Sequence, residues 1–200
     1  MEREDTVAEP EAEARCLEAL DRGDHAGAAT VVVRQYGPQL LGYLCSVLRS
    51  EADAGEVFSM FSEDLWRGLP GFRRECPLRV WCYRLAWHAA ARFLRDPYRG
   101  RGRRLETNEL SRLVEEVRSS VFLGRDQARQ ATLDRLRDGL SPDERALLVL
   151  RLDRGLSWAE VALVLAEAQG QPVDEAALRK RFERLKDKLA QRAREEGLLE

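Results

Sequence analysis

Two hundred residues suit one medium domain or two small ones, and a 44% hydrophobic share beside 34% charged residues is ordinary globular composition. The formal net charge of −2 excludes wholesale polyanion binding, so any nucleic-acid contact must come from local basic patches. No apolar run approaches the roughly 20 residues of a membrane span, and Met1-Glu-Arg-Glu-Asp opens without a secretory apolar core; the expectation is a soluble, cytoplasmic protein with no membrane attachment.

Residues 1–22, rich in Glu and Ala, predict an acidic N-terminal tail or a marginal helix. From Asp24 an apolar-periodic segment runs to Tyr36, where Gly37-Pro38 predicts a break or kink before Leu40, Leu41, Leu44 and Leu48 continue. Asp53-Ala-Gly-Glu56 has the spacing of a helix cap with a reciprocal glutamate, and its helix should reach about Arg67. Leu69-Pro70-Gly71-Phe72 then reads as a turn, and a fourth helix starts near Pro77 and ends before Pro97.

On that fourth helix Leu78, Cys82, Leu85, Ala89 and Phe93 share one face, which directs Tyr83, Arg84, Trp87, His88 and Arg95 elsewhere. Aromatic rings beside arginines suit a strand pulled out of a duplex, because rings stack on unpaired bases while guanidinium groups hold phosphates. The competing reading packs Trp81, Tyr83 and Trp87 into a core, and the residues alone favour it. Cys16, Cys45, Cys76 and Cys82 lack CxxC spacing and read as buried thiols; Cys82 and His88 fall on different helix faces. Neither a metal nor a cofactor is expected.

After Asp96, Pro97-Tyr-Arg-Gly-Arg-Gly-Arg-Arg104 has no apolar face and predicts a linker, followed by a short helix around Glu109 to Val117. A second helical unit begins near Gln127. Ser141-Pro142-Asp143-Glu144 and Ser157-Trp158-Ala159-Glu160 each carry a capping box, and Gly155 stops the first of these helices. Gly170 and Pro172 end the second, and Asp174 caps a third whose Leu178, Phe182, Leu185 and Leu189 form one stripe. Opposite that stripe stand Lys180, Arg184, Asp187 and Gln191, flanked by Arg179, Glu183 and Lys186. Two capped helices and a tight turn make this a helix-turn-helix offering cations to DNA. The alternative is a solvated, salt-bridge-laced surface helix.

No stretch shows the alternation expected of strands. The expected class is all-α: two small helical domains, 23–96 and 127–200, joined by a flexible basic linker over 97–126.

Phe72-Arg-Arg-Glu-Cys-Pro-Leu-Arg-Val-Trp-Cys-Tyr-Arg-Leu-Ala86 resembles conserved region two of bacterial RNA polymerase sigma factors of the extracytoplasmic-function type. Tyr36-Gly-Pro-Gln-Leu40 and Glu51-Ala-Asp-Ala54 through Leu65-Trp66 match in spacing, while Leu140-Ser-Pro-Asp-Glu-Arg, Gly155-Leu-Ser157 and Leu178-Arg-Lys-Arg resemble region four. The resemblance implies a protein that binds core RNA polymerase, recognises promoter DNA and helps melt it, with room for an anti-sigma factor among its partners. It implies DNA contacts from Arg179, Lys180, Arg181, Arg184 and Lys186 at the upstream element. At the melted downstream element, with its flipped-out base, it implies Arg73, Arg74, Arg84, Trp87, His88 and Arg92; Trp66 and Trp81 stay with the core.

The polymerase-facing stretch implied is Glu56, Ser59, Met60, Glu63 and Asp64. Here the family's Gln-Glu pair is replaced by Ser59-Met60, its Arg-Asn pair by Trp87-His88, and an aspartate by Arg92, which implies weaker clamp binding and altered minus-ten specificity. The turn from Ala168 to Val173 is longer than usual. Two other functions compete: a sigma-like regulator that binds DNA or polymerase without supporting initiation, and a helical protein-interaction adaptor. An enzyme is not expected, since there is no phosphate-binding glycine motif, no HExxH, and only His25 and His88 as imidazoles.

Overall fold

A computed structural model describes residues 5–96, 108–123, 139–166 and 173–195, and among them all regular structure is helical. The residues expected to form the basic linker at 97–104, the start near Gln127 and the turn around Gly170 and Pro172 lie outside the described residues.

Helix α1 spans Asp5–Asp21. Of the two alternatives expected for this stretch the helix is present, and it is docked: Ala12, Cys16 and Ala19 are buried, and small side chains let the helix lie close to its neighbours. Its Glu13 also serves another element: Oε1 accepts a hydrogen bond from the Leu78 amide at 3.1 Å, supplying the N-terminal acceptor that Pro77 cannot.

Helix α2, His25–Leu48, begins where the Asp24 carboxylate accepts from the Gly27 amide. The expected break at Gly37-Pro38 does not occur. Pro38 withholds one hydrogen bond from the carbonyl of Arg34, but both residues are exposed, so water can serve that carbonyl. Helix α3, Glu51–Gly68, is capped by Ser50, whose Oγ accepts from the Asp53 amide at 3.1 Å; Asp53 lies within the first turn instead of capping it. A 3₁₀ turn over Leu69–Gly71 leads to α4, Leu78–Arg95. Helix α5, Asn108–Leu123, outruns its expected end at Val117 and packs across α2 and α3.

In the second unit Ser141 forms the full capping box of α6, Pro142–Leu148: its amide donates to Glu144 Oε2 at 2.7 Å and its Oγ accepts from the Glu144 amide. A π-helical turn over Val149–Asp153 continues it, and Gly155 leaves at φ 65°, where a Cβ would be strained. Ser157 and Glu160 repeat the reciprocal bonds at the start of α7, Trp158–Ala166. Asp174 accepts from the Ala176 and Ala177 amides to start α8, Glu175–Glu195.

The second unit does not stand apart from the first. α6 packs on α2 and α7 on α4, and the buried side chains of both units belong to one apolar cluster. Three arginines fix the seam. Arg145 Nε donates to the Val47 carbonyl at 2.7 Å, Arg154 donates to that of Gln39 at 3.0 Å, and Arg79 donates to that of Arg154 at 2.8 Å. Arginine suits such a seam because one planar head can bridge several carbonyls. Gly42 leaves room for it, since a Cβ there would lie 3.3 Å from the Arg154 guanidinium.

Candidate nucleic-acid interface

Between the 3₁₀ turn and α4 the chain forms a loop, 72–77, that cannot be helical throughout. Pro77 ends it, and Arg74 takes φ 60°, a left-handed conformation that an L side chain adopts only at some cost. An ion pair between Arg74 and Asp21 ties the loop to α1. A cavity of about 290 Å³ opens beneath it, lined by Gly71, Phe72, Arg73, Glu75, Cys76, Trp81 and Arg84.

Phe72 and Trp81 make the aromatic wall, with centroids 4.9 Å apart and planes tilted by 42°. The Trp81 indole reaches within 3.2 Å of where a Cβ would stand on Gly68, so a glycine at that position lets the ring settle. Arg73 pairs loosely with Glu75 at 3.9 Å, and both are largely exposed. Burial raises the Cys76 thiol, and the neighbouring Arg84 only partly opposes this. The rim therefore offers guanidinium donors, one carboxylate acceptor and a ring face, the set that reads a planar heterocycle by its edge and holds it by stacking.

Of the residues expected at melted DNA, Arg73, Arg74 and Arg92 are exposed, and Arg84 and His88 are half-buried. Trp87 is not available. It is 2% exposed, and its indole Nε1 is buried without a hydrogen-bond partner among the described residues. The expectation of an exposed, stacking Trp87 is thereby corrected. α4 is packed by α2, α3 and α7, and Tyr83, 1% exposed, meets Tyr43 of α2 edge-on at 5.4 Å.

The expected polymerase-facing stretch is also thinner than the helical phase suggests. Met60 and Glu63 are 9% and 6% exposed, because α3 is packed by α2, α4 and α5, and the Glu63 carboxylate pairs with Arg67 at 3.7 Å. Glu56, Ser59 and Asp64 are half-buried. Ser59 Oγ donates back to the Gly55 carbonyl at 3.1 Å, and Asp64 pairs with Arg92, so one expected polymerase contact and one expected DNA contact neutralise each other.

On α8 the apolar stripe Leu178, Phe182 and Leu185 is buried and Leu189 half-buried. Lys180, Arg184, Arg179 and Lys186 are exposed, and Arg181 is half-buried. Arg179 pairs with Glu175 at 3.1 Å and Lys186 with Glu183 at 2.8 Å, whereas Lys180 and Arg184 carry no ion pair among the described residues. Trp158 joins α7 to α8: its ring meets Phe182 edge-on at 5.4 Å, with the guanidinium groups of Arg151 and Arg179 at 5.0 and 5.9 Å from its centroid. Lys188 reaches Glu144 at 3.5 Å and the Gly139 carbonyl at 3.1 Å, which ties α8 to α6.

The expected Arg73 and Arg84 stand at the cavity and Arg74 on its loop, while the cavity itself has no counterpart in the sequence reading. Leu69–Phe72 is the turn expected and Trp81, 7% exposed, is core as expected; what the sequence does not show is that the two rings meet and line a cavity under the loop. Among the described residues no group of His, Cys, Asp and Glu is arranged to hold a metal, and no helix is long and apolar enough to cross a membrane.

No curated protein matches the chain. Residues 32–100, which run from within α2 past the end of α4 and include the whole cavity loop, match the family model for Sigma-70 region 2.

Proposed function

We propose that this protein is an alternative sigma factor of the extracytoplasmic-function type: a non-enzymatic factor that binds core RNA polymerase, recognises promoter DNA and helps open it. The observation that carries this reading is the 290 Å³ cavity beneath loop 72–77, whose aromatic wall and charged rim suit an unpaired base. In the same reading α7 and α8 act as a helix-turn-helix, with Lys180 and Arg184, exposed and without an ion pair among the described residues, meeting the upstream duplex. The residues proposed at the melted strand are Phe72, Arg73 and Arg84, with the buried Trp81 backing the Phe72 ring.

The test is run-off transcription with purified core polymerase on fully paired and pre-melted templates. Phe72→Ala should lower transcription from the paired template by about tenfold or more and leave the pre-melted one much less affected, since base stacking is worth about 1–3 kcal/mol. Equal loss on both templates would remove the cavity from the melting step. A second reading, a sigma-like regulator without initiation activity, draws support from the burial of Met60, Glu63 and Trp87. It predicts polymerase or promoter binding without any transcript in the same assay.

A further inference from the structure

Helix α1 lies outside residues 32–100, yet two of its carboxylates reach the loop above the cavity. Glu13 Oε1 accepts from the Leu78 amide, where the loop passes into α4, and Asp21 pairs with Arg74 within the loop. α1 is itself fastened to α2: Ala12, Cys16 and Ala19 are buried, and Cys16 Sγ stands 3.8 Å from the Ala28 carbonyl. The helix is thus a fixed post for the loop.

Both partners of the Asp21–Arg74 pair stand where the local chain disfavours them. Asp21 closes α1, whose last turn holds no basic residue, so its carboxylate faces the negative end of the helix dipole. Arg74 takes φ 60°, a conformation that glycine, asparagine or aspartate adopts more readily. Each choice accounts for the other, since the guanidinium neutralises the helix end and the left-handed turn carries it there. The side chains remain 48% exposed at Arg74 and 62% at Asp21, so the pair adds little to global stability. What it fixes is the path of the chain between Phe72 and Pro77, and with it Arg73, Glu75 and Cys76 at the cavity.

We propose that Glu13 and Asp21 are positioning residues for the cavity: they hold loop 72–77 in the form that receives an unpaired base, and Arg74 serves this tie instead of touching DNA. This rests on the proposed base-capture role of the cavity, and it deepens that role by assigning the loop's shape to a helix outside residues 32–100. Two arginines adjacent in sequence thereby part company. Arg73 lines the cavity with a loose partner in Glu75 at 3.9 Å, whereas Arg74 is turned to α1. A loop held beforehand need not be ordered when the base arrives, which is how preorganisation raises affinity.

The experiment reads the loop in the full-length protein and its function in the complex with core polymerase. Cys76 lies on the loop, so its rate of modification by an aromatic disulfide reagent reports loop opening. Asp21→Ala should raise that rate, and lower run-off transcription from a paired template, by about twofold to fivefold, the upper part of the range for an exposed ion pair. The pre-melted template and the unfolding midpoint should stay near wild type. Arg74→Asp, which sets two carboxylates together, should do worse. Adding Asp21→Arg to it should return both readouts to within about twofold of wild type. Aspartate suits φ 60° and arginine suits a helix C-terminus, so the exchanged pair folds at least as readily. Glu13→Ala should speed hydrogen exchange at the Leu78 amide, and Glu13→Gln, which keeps an acceptor oxygen, should not. An exchanged protein that transcribes no better than Arg74→Asp alone shows that Arg74 acts on DNA; it overturns the inference and leaves the proposed function standing. Wild-type Cys76 reactivity in Asp21→Ala does the same. A wild-type complex that yields no transcript overturns the proposed function and this inference with it.

Discussion

Cys16 on α1 and Cys82 on α4 are both buried, and Cys16 Sγ reaches the Ala28 carbonyl at 3.8 Å. Burial pushes the Cys16 thiol up to about 11, with the Glu13 carboxylate adding to it, and pushes Cys82 well up. Raised thiols are poor nucleophiles, so these are packing groups. Cys76 at the cavity rim is half-buried, and an aromatic disulfide reagent at pH 8 should therefore modify it first, the remaining thiols following only on unfolding. Because the folded value for Cys16 lies above its ordinary 9.0, its stabilising contribution is complete below pH 9 and disappears as pH rises towards about 11. Alkaline titration of the unfolding midpoint, compared with Cys16→Ala, checks that window. Trp87 separates packing from DNA contact at the same scale. Trp87→Ala should cost about 3–5 kcal/mol in denaturant unfolding, the usual range for a buried aromatic. Trp87→Phe should cost much less, because it retains a ring and removes an indole N–H that has no partner among the described residues. An alanine variant of wild-type stability with a selective melting defect would return Trp87 to the DNA surface.

Helix starts are the most legible elements. Ser141, Ser157 and Asp174 each cap the helix their spacing announces, since a cap is a local arrangement between one side chain and amides two or three residues on. What depends on distant partners is not legible. The continuity of α2 through Pro38, the docking of residues 10–21, the length of α5 and the enclosure of Trp87 all follow from surfaces that only tertiary packing brings together. The cavity arises in the same way, from a loop pinned to α1 by the Arg74–Asp21 pair. The capping box of α6 gives a measurable case. Partial burial raises the Glu144 carboxyl, but the Ser141 amide and Lys188 outweigh it, so its value is lowered. The stabilisation is therefore present above the ordinary 4.5 and disappears as pH falls through the lower folded value. Ser141→Ala should cost about 1 kcal/mol at neutral pH, and Glu144→Gln should flatten the acid limb of the stability profile. An acid limb identical to wild type would show that the box does not persist in solution.

In the whole molecule the two units close on each other, so the surfaces proposed to meet DNA differ in availability. Lys180 and Arg184 on α8 face solvent while α7 is seated on α4, so the duplex binding proposed for them would require no rearrangement. Tyr83 and Trp87 of α4 are buried, and hydrogen bonds from arginine of about 1.5–3 kcal/mol each hold the seam between the units. Gly42→Gln places a side chain where the Arg154 guanidinium now lies, which should break the bond to Gln39 and loosen the second unit. We expect a larger radius of gyration by X-ray scattering and faster hydrogen exchange in α4 and α7, with α2 still folded because the substitution lies on its outer side. Duplex affinity should stay within about twofold of wild type, since α8 keeps its cations. Replacing Lys180 and Arg184 with alanine should do the reverse, weakening duplex binding and lowering its salt dependence by about one counterion for each phosphate no longer neutralised, while compactness stays the same. A Gly42→Gln protein that remains as compact as wild type would show that the packing of α6 on α2 and of α7 on α4 holds the units together without Arg154, and the seam would then be apolar in its energetics.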